Sequence, residues 1–301
     1  MDRSKFTLKY FLSLPQKLLD LLLFKYGRNL SDKTYIKLKY FVLNGRWLNL
    51  KRPRTFNEKL QWLKLYGHRP EYVDMADKYK VKAIVSNLIG DKYVVPCLGV
   101  WEKVEQLDFE KLPEKFVLKC THDSGGNYIC RDKKSLDKLK AIEILDNSLK
   151  QGYFFQGRDK QYRDIERRII ADTFLDDGRE GELQDYKFWC FNGVPKVIYL
   201  TNKGKKVYEN FYDMDFAPLD IDHGFPRMVP EYQKPVNFEL MKELASKLSK
   251  GVPFVRVDFF DVDGKVYFGE FTFFDWGGFK NFKSNKWDEK LGSWIELPNR
   301  S

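Results

Sequence analysis

The sequence predicts a mixed α+β protein, helical over its first quarter and built after that from helices mixed with hairpin-joined strands. Two observations carry that expectation. Apolar residues recur at helical spacing over residues 5–66, as in Tyr35, Ile36, Leu38, Tyr40, Phe41 and Leu43. From about Asp74 the pattern changes to short apolar and aromatic runs separated by turn residues. Successive strands joined across such short turns pair antiparallel, which argues against a doubly wound parallel sheet.

Taken in order, Pro53 and the turn Thr55–Phe56–Asn57–Glu58 open a helix running through Trp62 and Leu65. A helix carrying Lys78 and Val81 leads to an expected short strand, Tyr93–Pro96. The strand Phe116–Cys120 ends in the small polar loop Thr121–Asn127, and a strand over Tyr128–Arg131 follows. A helix over 134–150 precedes strands over Arg168–Phe174, Tyr186–Asn192 and Lys196–Leu200. A helix over 237–250 then leads into the hairpin Phe254–Phe260 and Lys265–Phe273. The expected division is a basic helical region, 1–70, then a domain over 71–301 in two parts, about 93–170 and 171–301.

The 301 residues are 43% hydrophobic and 16% aromatic, as a folded globular chain requires. The charge is uneven: residues 1–70 hold 16 Lys and Arg against 4 Asp and Glu, and the remainder 37 against 39. A basic segment on a neutral body suits a surface for anions such as anionic lipid or glycan. No nucleic-acid motif accompanies it, which argues against that partner. Cys97, Cys120, Cys130 and Cys190 show no CxxC pair and no zinc spacing, the pattern of a reducing cytoplasm. The apolar run Leu18–Phe24, with Pro15, Gln16, Lys17 and Asp20 around it, is too broken for a signal peptide or a spanning helix. An amphipathic helix fits, packed on the protein's own body or lying peripherally at the inner face of a membrane.

The chemistry concentrates in Val255–Phe260 and the strand returning from it. Alternation puts Arg256 and Asp258 on one face of the first strand, and Glu270 and Thr272 on one face of the second. A two-residue Asp263–Gly264 turn would pair Asp258 with Gly269 and separate the two polar faces. A three-residue loop, Val262–Asp263–Gly264, would set Glu270 opposite Arg256, and a metal site is expected to require that odd length. Paired carboxylates beside an Arg suit Mg²⁺ on nucleotide phosphates, the ordinary alternative being a surface ion pair. Lys119 in an apolar strand needs an anionic partner, and Ser124–Gly125–Gly126 after it offers amides to phosphate. Lys187 repeats that feature in Asp185–Tyr186–Lys187–Phe188.

The order Asp77–Lys78, Phe116–Lys119, Ser124–Gly126, Ile169–Leu175, Asp185–Phe188, Arg256–Asp258 and Gly269–Thr272 resembles an ATP-grasp enzyme. More narrowly it resembles the TupA-like branch associated with bacterial surface polysaccharides, from about Pro53 to Leu297. The resemblance implies an ATP-grasp fold, with nucleotide held between two antiparallel α+β subdomains, and ATP and Mg²⁺ as cofactors. It implies phosphate contacts from Lys78, Lys119 and Lys187 and a phosphate-covering loop at Ser124, Gly125 and Gly126. Asp172, Thr173, Phe174 and Leu175 would form the hinge beside adenine. Arg256 and Lys187 would hold transition-state charge; Asp258, Glu270 and Thr272 would form the metal set. Two positions depart from common patterns, Asp172 for Glu and Thr272 for Asn, and the second puts direct ligation by Thr272 in question.

The activity so implied is ATP-dependent carboxylate–amine ligation through an acylphosphate, with a small-molecule or glycan carboxylate and an amine as substrates. An amino acid joined to a uronic acid of a surface glycan is one example; a phosphotransferase uses the same site chemistry. A metal-dependent glycosyltransferase is the alternative, from the DxD patterns Asp213–Asp215 and Asp261–Asp263. A non-catalytic nucleotide- or glycan-binding module is a third reading. The acceptor pocket is expected around His122, His223, Phe274–Trp276 and residues 201–235.

Overall fold

The computed structural model describes residues 8–178, 183–203 and 206–299. The expectations on residues 1–7 and 300–301, at the ends of the two regions, lie outside the described residues. The helices are α1 (Leu8–Tyr26), α2 (Asp32–Asn44), α3 (Phe56–Tyr66), α4 (Glu71–Ala76), α5 (Lys80–Ile89), α6 (Lys138–Lys150), α7 (Phe154–Gly157), α8 (Phe238–Ser249) and α9 (Asn285–Ser293). The strands are β1 (Cys97–Trp101), β2 (Phe116–Cys120), β3 (Tyr128–Cys130), β4 (Ile169–Thr173), β5 (Asp185–Phe191), β6 (Val194–Lys203), β7 (Val207–Tyr212), β8 (Pro218–Leu219), β9 (Phe254–Val262) and β10 (Lys265–Thr272).

They form two sheets, β1-β4-β2-β3 and β10-β9-β5-β6-β7-β8. Every pairing is antiparallel, so the mixed α+β expectation holds. The four-stranded sheet buries Phe116, Leu118, Cys120 and Ala171 with Ala141 and Leu145 of α6 in a small core. The six-stranded sheet anchors a much larger one. Phe188, Cys190, Ile198, Leu200, Val257 and Phe259 are buried together with Phe238, Met241 and Ala245 of α8. From the other side, Phe56 of α3 packs against Trp189 and Phe254.

Several boundaries differ from the sequence expectation. The strand expected at Tyr93–Pro96 is a short 3-10 turn, Asp91–Tyr93, and the strand begins at Cys97. Lys78 lies in the turn before α5, not within a helix. The helix expected from 134 begins at Lys138, where Asp137 caps it by accepting from the Lys140 amide. Strand β7 and helix α9 were not expected.

Two local devices position the site. Thr55 and Glu58 form a reciprocal capping box at the start of α3. That fixes a helix whose inner face carries buried polar residues. Gln61 Nε2 donates to the Gly277 and Gly278 carbonyls at 2.9 and 2.7 Å. Lys64, fully buried, pairs with Asp159 at 2.7 Å and donates to the carbonyls of Gly157 and Gly277 at 2.8 Å each. The second device is the β9–β10 hairpin. Its turn is the two-residue Asp263–Gly264, both left-handed at φ 50° and 74°, so the three-residue loop is corrected. The odd residue enters further on, as a bulge: Phe268 pairs with Phe259 but Phe271 pairs with Val257. Gly269 sits in the bulge, where a Cβ would stand 3.1 Å from the Asp258 carbonyl oxygen. Thr272 is thereby set opposite Arg256, and Glu270 on the same face as both.

Candidate active site

The two sheets meet at a narrow cleft enclosing about 40 Å³, lined by Lys78, Lys82, Lys119 and Asp172 on one side and Phe260, Phe268 and Gly269 on the other. On the four-stranded side, alternation along β2 buries Phe116, Leu118 and Cys120 and turns Lys119 out of the small core. Its ammonium lies 2.7 Å from Asp172 Oδ2, while Lys82 lies 3.0 Å from Asp172 Oδ1 and donates to the Val95 carbonyl at 2.7 Å. The anionic partner that Lys119 requires is therefore Asp172, itself 2% exposed. Burial lowers the pKa of both Lys82 and Lys78 against the pull of their acids.

The polar loop after β2 is tied to α6. Lys78 donates to the Asp123 carbonyl, and the Asp123 carboxylate accepts a short bond from Ser148. Gly126 passes so close that a Cβ there would fall 2.3 Å from Asp123 Oδ2 and 2.9 Å from Ser148 Oγ, a contact only glycine avoids. Gly125 is left-handed at φ 99°. Ser124 lies beside Tyr153, whose hydroxyl pKa burial raises and Ser124 opposes. At the hinge, the Thr173 amide donates to the Pro96 carbonyl at 3.0 Å, and the Phe174 ring lies under Arg131 and Lys115.

On the six-stranded side the centre is Arg256. It binds Asp258 through two parallel contacts of 2.7 Å, Glu270 at 2.7 Å and Asp275 at 2.6 Å, and it donates to the Tyr199 hydroxyl at 3.1 Å. One guanidinium nitrogen, Nη2, serves both Asp258 and Glu270. Burial works against the charge of Arg256, yet Asp258, Tyr199, Asp275 and Glu270 outweigh it and raise its pKa well above normal. Burial pushes Asp258 up to about 6, opposed by Arg256 and Lys187. Lys187 stands directly opposite Asp258 on the neighbouring strand and pairs with Asp185. Thr272 donates to Glu270 at 3.2 Å.

Lys119 of one sheet, with Lys78 and Lys82 from α5 and the turn before it, thus lies toward the carboxylate–guanidinium cluster of the other; Glu270 acts on Lys78 against the burial that lowers its pKa. The sequence reasoning missed Lys82, Asp123, Tyr153, Tyr162 and Tyr199; Asp275 fell within the expected acceptor stretch Phe274–Trp276, but its pairing with Arg256 was not foreseen. Tyr162 is half-buried, packed edge-on against Tyr153, and desolvation, with Glu270 beside it, raises its pKa well above normal. Asp275 had a signal, the Gly277–Gly278 pair after it: Trp276, Gly277 and Gly278 are all left-handed and fold the chain back onto α3.

The DxD patterns are structural. Asp213 accepts from the amides of Asp215 and Ala217, and Asp261 accepts from Asn237. His122 is buried with Nε2 3.1 Å from the Gln151 carbonyl oxygen. His223 packs against Trp189 of β5 and Phe211 of β7, and Trp276 against Phe225. All four cysteines are unpaired thiols.

No curated protein matches the chain. Among solved structures it is similar to D-alanine–D-alanine ligase from Bacillus anthracis complexed with ATP, at 16% identity and a TM-score of 0.40, covering 74% of this chain and 60% of that one. It is similar to the Helicobacter pylori D-alanine–D-alanine ligase at 14% identity and 0.43, covering 82% and 68%. An ADP complex of the N5-carboxyaminoimidazole ribonucleotide synthetase purK gives 13% and 0.40, covering 66% and 45%. The chain thus spans less than two thirds of the length of some of the structures it matches. Family membership rests on a direct match over residues 58–296, from the capping box of α3 to just past α9: the chain belongs to the TupA-like ATPgrasp family.

Proposed function

We propose that this protein is an Mg²⁺- and ATP-dependent ligase that phosphorylates a carboxylate and joins it to an amine. The observation that carries the reading is Arg256, bound at once by Asp258, Glu270 and Asp275, with Glu270 acting across the cleft on Lys78. Two acids that share one guanidinium nitrogen are spaced to share one small cation, and their hard oxygens suit Mg²⁺. Among the described residues no group of three or more His, Cys, Asp or Glu could hold a metal. That leaves two carboxylates, the number Mg²⁺ takes when nucleotide phosphates complete its shell. When bound, Mg²⁺ would neutralise charge on the phosphates during transfer. Asp258 and Glu270 would hold it, with Thr272 orienting Glu270.

Lys78 and Lys119 would hold the ATP phosphates under the amides of Ser124, Gly125 and Gly126. Asp172, Thr173, Phe174 and Leu175 would carry the adenine end. A carboxylate oxygen of the substrate attacks the γ-phosphorus, ADP leaves, and Arg256 and Lys187 offset charge on the transferring group. The amine nitrogen then displaces phosphate from the acyl carbon. The cleft of about 40 Å³ shares Lys82, Val94 and Val95 with an open groove of about 670 Å³ that also runs past Tyr79 and Pro96, room of the size a ligand site takes. The substrate class we favour is a surface-polysaccharide carboxylate, such as a uronic acid, with an amino acid as amine.

The test is ADP release by the purified protein with Mg²⁺-ATP, against pools of amino acids and uronic-acid glycans. Substrate-stimulated release should fall at least ~100-fold in Glu270→Ala; release that survives the substitution would sink the assignment.

The basic N-terminus has its own expectation, peripheral contact with an anionic membrane or glycan. Leu18, Leu19, Leu21 and Leu22 of α1 are 44–64% exposed beside Lys25 and Arg28. No described helix is long and apolar enough to cross a membrane. Deleting residues 1–50 would also remove Tyr35, Ile36 and Tyr40 from the main core, so substitution is the cleaner test. Leu18→Ser, Leu21→Ser and Leu22→Ser together should abolish sedimentation with anionic liposomes while ATP binding is kept. Unchanged sedimentation would exclude α1 as the contact.

A further inference from the structure

The polar face of the six-stranded sheet continues past Arg256 and Lys187 onto β6 and β7. Asp185, Thr201 and Glu209 lie side by side across three strands, because Asp185 precedes the Tyr186–Leu200 pair and Thr201 pairs with Glu209. Glu209 is 3% exposed and His223 5%. Neither oxygen of Glu209, neither ring nitrogen of His223 and not the Thr201 hydroxyl has a hydrogen-bond partner among the described residues. His223 Nδ1 approaches Glu209 Oε2 to 3.2 Å without completing a bond. Buried polar groups are almost always satisfied, so a cluster of unsatisfied ones needs an occupant. The aromatic rings of Trp189, Phe211 and Phe282 wall it. Lys280 stands near Glu209, stacked on Phe225 and Trp276 at 4.1 and 5.1 Å, and burial lowers its pKa.

Resting on the ligase reading above, we infer that Glu209, with Thr201 and His223 beside it, receives the amine co-substrate as its ammonium and acts as the base for its attack. An ammonium brings three donors to an acid whose two oxygens complete no hydrogen bond among the described residues. The place suits the reaction: Glu209 acts electrostatically on Tyr199, whose hydroxyl is bound to Arg256. Glu209 takes one ammonium proton, which frees the nitrogen lone pair for the acyl carbon. The C–N bond forms, the C–O bond to phosphate breaks, and the second proton leaves with the phosphate. Lys280, flanked by Phe225 and Trp276, closes the rim and disfavours a second cation, which selects for a single ammonium group.

The experiment titrates the full chain with the twenty amino acids and ethanolamine, reading tryptophan fluorescence without ATP and ADP release with it. Glu209→Gln, which keeps the shape and removes the charge, should raise the half-maximal amine concentration at least tenfold and change ATP affinity less than twofold. Equal amine dependence in the two proteins would overturn the site. If Glu209→Gln does not fold, wild-type His223 ring resonances decide. They should shift with amine and not with sodium chloride of equal ionic strength, and no shift overturns the site. Amine binding that depends on Glu209 without any ADP release would instead remove the ligase reading and leave the ammonium site standing. ADP release indifferent to Glu209 would do the reverse.

Discussion

The two sheets are wired alike, antiparallel and hairpin-joined, yet they hold their charges differently. The four-stranded sheet rests on a small core against α6, and its Lys119 is bound by the single acid Asp172, which Lys82 of α5 also reaches; Lys78, in the turn before α5, is held by Asp123. The six-stranded sheet is packed by α8 on one face and α3 on the other. Its central charge, Arg256, is held by three acids and a tyrosine. In the proposed ligase the first sheet would be the cover, exchanging an internal anion for a ligand's phosphate, and the second the platform that stays still.

The largest effect that separates the halves is on stability. Arg256→Ala leaves Asp258 and Asp275 buried without their counter-ion and should cost about 3–5 kcal/mol by denaturant unfolding. Lys119→Ala leaves Asp172 with Lys82, and for a pair whose lysine is 24% exposed the loss should stay near ~1 kcal/mol while ATP affinity falls. Equal losses of stability would erase the distinction between platform and cover. A second effect belongs to the cover. Gly126→Ala would push Asp123 off Ser148 and Lys78, weakening ATP binding roughly tenfold or more for one charged hydrogen bond. Calorimetric titration that shows unchanged affinity would mean the loop does not meet the phosphates.

The smallest effect at ordinary pH concerns the platform's core. Burial holds the hydroxyls of Tyr35, Tyr40 and Tyr212 and the thiol of Cys190 up to about 12, with Cys120 of the small core at about 11. The unfolded chain releases these protons from about pH 8.5 for thiols and pH 10 for tyrosines. It then binds fewer protons than the folded chain, so stability is intact below those values and falls as pH rises toward 12. Thermal melts between pH 8 and 11 should show that fall, with tyrosinate absorbance appearing only on unfolding. Tyrosinate forming before unfolding would place those rings in water.

Much of this was legible in the sequence, because regular strands announce themselves. Phe116–Cys120 alternates buried and half-buried residues as written, and Arg256 and Asp258 share a face by spacing alone. Less legible was whatever depended on a break in regularity. Strand β7 carries Glu209 and Asn210, both buried, where a strand pattern offers apolar alternation. Lys82 points at Asp172 from the helix after the recognised Lys78, and nothing in residue spacing reveals a partner so far along the chain. Tyr153 and Tyr162 reach the site from α7 and the short turn after it, where no period exists to read. The register of β9 and β10 was misjudged for a sharper reason. The buried apolar residues run Val266, Phe268, Phe271 and Phe273, two apart, then three, then two, with Gly269 in the gap. That skipped beat is the bulge, and it was present in the sequence.

A strand normally has one phase: the turn that begins it decides which side every later residue faces. The extra residue at Gly269–Glu270 gives β10 two phases, one set by the Asp263–Gly264 turn and one set by the chemistry near Arg256. Turn and site are thereby decoupled and can each vary without reversing the other. Removing one residue at that point would not shorten the strand so much as invert its inner half, sending Thr272 into the core and Phe271 into the cleft.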